Sequence, residues 1–420
     1  MTYPLLFPYG EPGYSSNYRP LCTITKSNER GKLLMTFRDE NYRPSMREFY
    51  SARIAVRKEF SLLHSSGRLF QTYVVDQAVK IQNYRLAYYR NHQTSLRVDS
   101  YLGIDDYLKK FANKQAQRTG QESVPIGKKV ILPATFTDST RYLQQKYQDA
   151  AAMVREFGKP DLFITFTCNP QWKEITENVP HYQKVENRPD LIDRVFRLKC
   201  NELIGEVVEN QIFGNVASYF YSIEFQKRGL PHMHLYLILK PESKIMRPEQ
   251  VDKVICAEIP ILNNKLYALV ERHMIHGPCG KRGPHSPCMK PDKKRVGSNV
   301  CSKHYPKKYN YETTCPNNGY PNYRRRDNGI TVQRGQQTLG NEWVVPYNPY
   351  LLLKFEAHIN VEVVTSLMSV KYLYKYILKG HDTATLHIVT SADGQTSRID
   401  YDEISQFINT RYVTPPEGLL

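Results

Sequence analysis

Residues 232–239 read HMHLYLIL, and this alternation constrains the fold more than any other segment of the chain. Successive side chains of an extended strand point to opposite faces. His232, His234, Tyr236 and Ile238 therefore share one face, while Met233, Leu235, Leu237 and Leu239 form an apolar face that must pack under helices. Upstream, residues 217–226 (ASYFYSIEFQ) read as a second strand, and KRGLP between them is turn-forming, so the pair is expected to be a hairpin. An H-x-H pair standing alone reads first as surface or hydrogen-bonded histidines. The hairpin changes that balance, because Glu224 and Gln226 share a face and fall opposite or diagonal to the imidazoles. Two nitrogens and a carboxylate or amide oxygen, with positions left open, suit Mn²⁺ or Mg²⁺ at least as well as Zn²⁺. An ion held there could polarise a phosphoryl oxygen.

A second constellation lies downstream. His276, Cys279, Cys288 and Cys301 follow the spacing H-x2-C-x8-C-x12-C in a loop rich in Gly and Pro, with His285 and His304 nearby. Thiolates and an imidazole at such spacing suit a tetrahedral structural Zn²⁺, although the pattern matches none of the commonest fingers and unrelated free cysteines are the alternative. Cys22, Cys168, Cys200 and Cys256 sit in apolar contexts and read as inert core residues. With no leader segment evident, the eight cysteines fit a reduced, intracellular protein.

The net charge of +17 points to a polyanionic partner, and it is unevenly spread. Residues 276–330 carry 12 Lys and Arg against 3 Asp and Glu, so 12 − 3 = +9 lies in this one stretch. Lys281, Arg282, Lys293, Lys294, Arg295, Lys307, Lys308, Arg324, Arg325 and Arg326 are the candidate contacts to nucleic-acid phosphates. A membrane partner is excluded, since no stretch approaches the ~20 apolar residues of a span and no amphipathic anchor is present. No G-x-x-x-x-G-K-[ST] loop occurs, so no ATP site is encoded in these residues.

Along the chain, 1–45 reads as an irregular N-terminal arm and 46–135 as a helical DNA-binding region whose stretch 112–129 looks like a linker or mobile loop. Residues 136–275 read as the first half of a unit that carries the H-x-H strand, 276–332 as a basic zinc-binding insertion, 333–395 as the second half of that unit, and 396–420 as a C-terminal tail. Helices are expected at 141–158, with Thr137, Asp138 or Ser139 as N-cap and Gly158 ending it, and at 189–210, and strands at 161–168 and within 358–364. The fold class is α+β, with a largely antiparallel central sheet flanked by helices.

In SLMSVKYLYKYILKG (366–380) the apolar stripe is Leu367, Val370, Tyr374, Ile377 and Leu378. At about 100° per residue Tyr372, Tyr376 and Lys379 fall on the opposite face, with Lys375 nearby. A solvated face is the plain reading. The functional one makes Tyr372 and Tyr376 nucleophiles whose phenolate form is favoured by the lysine three residues after each.

The segments YPLLFPYGE, KPDLFITFTCNPQW, EFQKRGLPHMH, HGPCG with SPCMK, GYPNYRRR, VVPYNPYLLLKFEAHINVE, KYLYKYILKGHD and RYVTPPEG occur in that order over nearly the whole chain. Together they resemble the Rep nuclease region of Helitron transposases, the eukaryotic rolling-circle transposons. The resemblance implies an HUH endonuclease fold, in which His232 and His234 hold a divalent metal with Glu224 or Gln226 as third ligand. It implies that Tyr372 and Tyr376 attack single-stranded DNA, and that FITFTCNP lies beside the active site. It further implies a nuclear protein acting at transposon ends, partnered by a helicase domain or protein that these 420 residues do not contain.

Overall fold

Alternation in four segments builds one antiparallel sheet: β1 (Leu162–Thr167), β2 (Val216–Phe225), β3 (Pro231–Leu239) and β4 (Ile359–Val363), in the spatial order β4-β1-β3-β2. The computed structural model describes residues 3–18, 23–27, 33–38, 43–96, 102–119, 124–225, 230–261, 265–292, 297–315, 321–364, 386–390, 396–410 and 413–419. The side chains of 23–27, 33–38, 102–107, 386–390 and 396–400 lie outside that description, as do those of Ser95, Gln115, Arg118, Thr119, Lys128 and Thr410. The helix expected over 366–379 falls entirely outside it.

Helix α1 (Thr140–Phe157) starts on the Ser139 side chain, which accepts from the Tyr142 N–H, and stops at Gly158 with φ +91°. Helix α2 (Pro189–Val208) opens on its proline, whose fixed φ suits a first helical turn. The apolar face of β3 packs against α2: Met233, Leu235, Leu237 and Leu239 share a core with Ile192, Phe196, Cys200, Leu203 and Val207. Each such fully buried side chain contributes about 1.5–3 kcal/mol. On the other face, Tyr236 packs with Ala150 and Val154 of α1.

Three sequence expectations need correction. The 112–129 stretch is no linker, because helix Leu102–Thr119 runs through its first half and strand Ile126–Val130 occupies its end. Ala, Lys and Gln are strong helix formers, and Ala112 and Ala116 bury against Leu108 and Val124. The stretch 396–410 is no tail. Strand Thr396–Asp402 pairs in parallel with Ile126–Val130 and antiparallel with Leu386–Thr390, and helix Glu403–Thr410 follows. Ile404 and Phe407 then close a small core with Leu86, Leu132 and Phe136. Nor is 1–45 simply irregular, since Thr23–Ser27 and Leu33–Arg38 form a hairpin, and Leu6 and Phe7 pack in a cluster with Tyr73.

Glu403 fastens this closure. Its carboxylate accepts from the Leu132 N–H at 2.8 Å and pairs with Arg141 of α1, both side chains being buried. Removing one partner of a buried pair strands the other charge, so Arg141→Ala should cost about 3–5 kcal/mol in urea denaturation. Lys146→Ala, which breaks the exposed pair with Asp149, should change stability by less than ~0.5 kcal/mol.

Candidate active site and metal centre

The sheet register turns the alternation of four strands into rows of side chains. Asn360, Thr165, His234 and Ser222 form one row, and Thr167, His232 and Glu224 the next. A third row, Phe163, Tyr236 and Phe220, is aromatic, with Tyr236 stacked on Phe220 at 5.0 Å and tilted against Phe163 at 4.7 Å. One face of the sheet is thus split. Its aromatic part is covered by α1, and its polar part carries the two histidines.

Each imidazole is held through Nδ1. Thr167 Oγ1 lies 2.7 Å from His232 Nδ1, and Thr165 Oγ1 lies 3.3 Å from His234 Nδ1. A bond at one ring nitrogen fixes the orientation of the other, as hydrogen-bonded partners of metal-binding histidines do. For His234 the other nitrogen, Nε2, lies 3.3 Å from the Glu224 carboxylate, and Phe163 stacks on the ring at 5.7 Å. His234 is buried, while His232 and Glu224 are half-exposed. The sequence reading placed Glu224 here but overlooked the two threonines, although Phe163, Thr165 and Thr167 alternate in DLFITFTC. The adjoining NPQW segment is structural: Asn169 donates to the Glu356 carbonyl at 2.7 Å and Trp172 to the Phe355 carbonyl at 2.6 Å. Gln226, Tyr372, Lys375, Tyr376 and Lys379 lie outside the described residues.

His276, Cys279, Cys288 and Cys301 bring one ligand atom each to within 4.8 Å of one another. Tetrahedral zinc bonds of about 2.3 Å to sulfur separate neighbouring ligands by roughly 3.8 Å, so the cluster fits an ion such as zinc. Strand Met289–Pro291 pairs with Asn299–Cys301 and places Met289, next to Cys288, opposite Cys301. Gly280 turns the chain after Cys279 with φ +64°, a conformation other residues rarely adopt. The His276 ring stacks on Tyr305 at 4.2 Å, and its backbone N–H donates to the Trp343 carbonyl at 2.8 Å.

Burial and the ammonium groups of Lys303 and Lys307 lower the His276 pKa to about 4, which keeps the ring in the neutral form a metal binds. Burial raises the Cys279 thiol to about 12 and raises Cys288 as well. For Cys301 burial is outweighed by hydrogen bonds from the backbone at Tyr305 and Lys303 and from the two neighbouring thiols, and its pKa falls. Among the described residues this is the one such group of three or more His, Cys, Asp or Glu side chains with converging ligand atoms.

The basic run contains a further correction. Arg325 is 3% exposed and donates to the carbonyls of Ala257, Asn341 and Val344, so it anchors the insertion and cannot reach a phosphate. Arg326 pairs with Glu258 at 2.6 Å, and Arg324 approaches Asp252 and Glu258. Lys307 is half-buried against the Tyr305 ring, while Lys281, Arg282 and Lys308 are exposed. Lys293, Lys294 and Arg295 lie outside the described residues.

A family model described as the Helitron helicase-like domain at the N-terminus matches residues 49–237. Residues 49–237 are Helitron-related. This matched stretch holds β1, β2, Glu224 and both histidines, and ends before the His276 cluster. No curated protein matched the chain. No helix among the described residues is long and apolar enough to cross a membrane.

Metal analysis checks the cluster. The purified chain should carry one zinc, lost in Cys279→Ser and in Cys301→Ser, and unchanged zinc in both variants would remove the site.

Proposed function

We propose that this Helitron-related chain is a metal-dependent single-stranded DNA endonuclease and strand transferase with an HUH-type fold. The observation that carries the reading is the pair His232 and His234 at the centre of an antiparallel sheet, with Glu224 on the neighbouring strand. The donor set of two imidazoles and a carboxylate fits Mn²⁺ or Mg²⁺. Such an ion would supply positive charge to the scissile phosphoryl oxygens.

The side chains of the chain itself do the rest. Thr165 and Thr167 hold the imidazoles in place, and Glu224 adds the negative charge that balances a cation. Tyr372 or Tyr376, which enter from the sequence, attacks phosphorus through its phenolic oxygen. The phenol gives up its proton and a P–O bond forms. The bond from phosphorus to the 3′ oxygen breaks, and that oxygen takes a proton to become a free 3′-OH. The product is a 5′-phosphotyrosine. The second tyrosine allows another cleavage or a strand transfer before the first adduct is released. Lys375 and Lys379 favour the phenolate and steady the phosphate charge. Zinc on the His276 cluster pins the basic insertion, whose Lys281, Arg282 and Lys308 contact DNA phosphates. The setting is the nucleus, with single-stranded transposon ends as substrate, a helicase as partner and no ATP consumed by this chain.

One observation favours a second reading. The His276 cluster gathers its four ligand atoms within 4.8 Å of one another, so it can hold a structural metal whatever the histidine row does, as would hold for a zinc-stabilised DNA-binding remnant without catalysis.

Labelled single-stranded oligonucleotide with Mn²⁺, resolved on a denaturing gel, separates the two. A protein–DNA adduct is expected, abolished by His232→Ala and by Tyr372→Phe combined with Tyr376→Phe. Absence of cleavage favours the remnant, and cleavage without an adduct contradicts the covalent mechanism.

A further inference from the structure

A cleft of about 1070 Å³ lies between the N-terminal helices and the sheet. Helix Arg68–Asn91 forms one wall and the first half of α2 another, and Ile223 and Phe225 of β2, which alternate with Glu224 and so lie on the α2 face of the sheet, also line it. Arg47, Arg85, Arg194 and Arg197 reach it from three helices. Arg85 also lies over the Phe136 ring at 5.1 Å.

Carboxylates reach the same cleft, and each has a local partner or setting of its own. Arg188 grips Asp190 bidentately at 2.9 and 2.8 Å, and Glu417 accepts from the Thr414 N–H at 3.4 Å. Asp138 immediately precedes the N-cap of α1, where the helix amides offset a negative charge. Burial raises the Asp193 pKa to about 6, despite Arg194 and Arg197.

The helical wall continues into aromatic surface. Tyr84 and Tyr88 are 58% and 54% exposed, and Tyr88 stacks on His92 at 4.2 Å. On the helix, Tyr88 projects within about 20° of Ile81, which lines the cleft, and Tyr84 within about 60°. Guanidinium groups beside flat exposed rings match one class of ligand: a polyanion whose bases are open to stacking. Duplex DNA keeps its bases stacked inside and offers the tyrosines nothing.

We infer that this cleft binds single-stranded DNA, with Arg47, Arg85, Arg194 and Arg197 on phosphates and Tyr84 and Tyr88 on bases, and so holds the strand next to β2. The inference rests on the nuclease reading for its substrate, but binding and cleavage can be measured apart.

The test is fluorescence anisotropy of a labelled single-stranded oligonucleotide with the full chain, over a range of salt and without divalent ions, so that no nicking intervenes. Arg194→Glu with Arg197→Glu should weaken binding at least tenfold and flatten the salt dependence by roughly 0.7 in slope for each phosphate no longer neutralised. Arg194→Lys with Arg197→Lys should retain most of the affinity, which separates charge from misfolding. Tyr84→Ala with Tyr88→Ala should weaken binding by about tenfold with the salt slope unchanged. Unchanged affinity and slope in the glutamate and alanine variants, with the covalent adduct still formed, would overturn the cleft and leave the nuclease reading standing. Arginine-dependent binding without any adduct would support the cleft and sink the nuclease reading. Equal competition by duplex DNA would overturn the single-strand assignment.

Discussion

Everything at the candidate site depends on the register of β3 between β1 and β2. Because side chains alternate, a slip of one residue would turn the histidines into the core and Met233, Leu235 and Leu237 out of it. Each of those apolar side chains is fully buried or nearly so. Exposing them would cost about 1.5–3 kcal/mol apiece, far more than a hairpin alone could resist. The apolar face therefore sets the position of the polar one. Thr165 meets His234 and Thr167 meets His232 only in this register.

The basic stretch from 276 solves a different problem. Its described strands are three residues long, so backbone pairing within it is short. It is fastened instead by discrete polar ties to the surrounding core. Arg325 caps three carbonyls, Arg326 pairs with Glu258, Thr313 donates to Asp252, and the Tyr323 hydroxyl accepts from the Val363 N–H at 2.9 Å. The last tie reaches the end of β4, so the insertion and the sheet are one connected structure. A metal on the His276 cluster would add a fixed point where apolar burial is thin. The charge left exposed, at Lys281, Arg282 and Lys308, is then carried on a braced surface.

What was legible in the sequence follows from the range of the interactions involved. The four central strands and α1 and α2 are written in local periodicity and caps, and the H-x2-C-x8-C-x12-C spacing marks residues that do converge. The second sheet was not legible, because the pairing of 126–130 with 396–402 spans most of the chain and neither segment has strong alternation. Arg325 was misread for a related reason. In a run of three arginines nothing local distinguishes the one whose guanidinium is buried from its paired neighbours. Thr165 and Thr167 could have been found, since alternation aims them at the histidine row once β1 is placed beside β3. The cleft arginines come from three separate helices, and only the fold brings them together.

The central claim is that the histidine row is a cation site distinct from the His276 cluster. Electron paramagnetic resonance titration of Mn²⁺ into the zinc-loaded chain tests it most directly. The account predicts one bound Mn²⁺ per chain with nitrogen coupling from imidazole, lost in His234→Ala while the zinc content stays the same. Mn²⁺ binding that survives both His232→Ala and His234→Ala, or that disappears in Cys279→Ser alone, would contradict it.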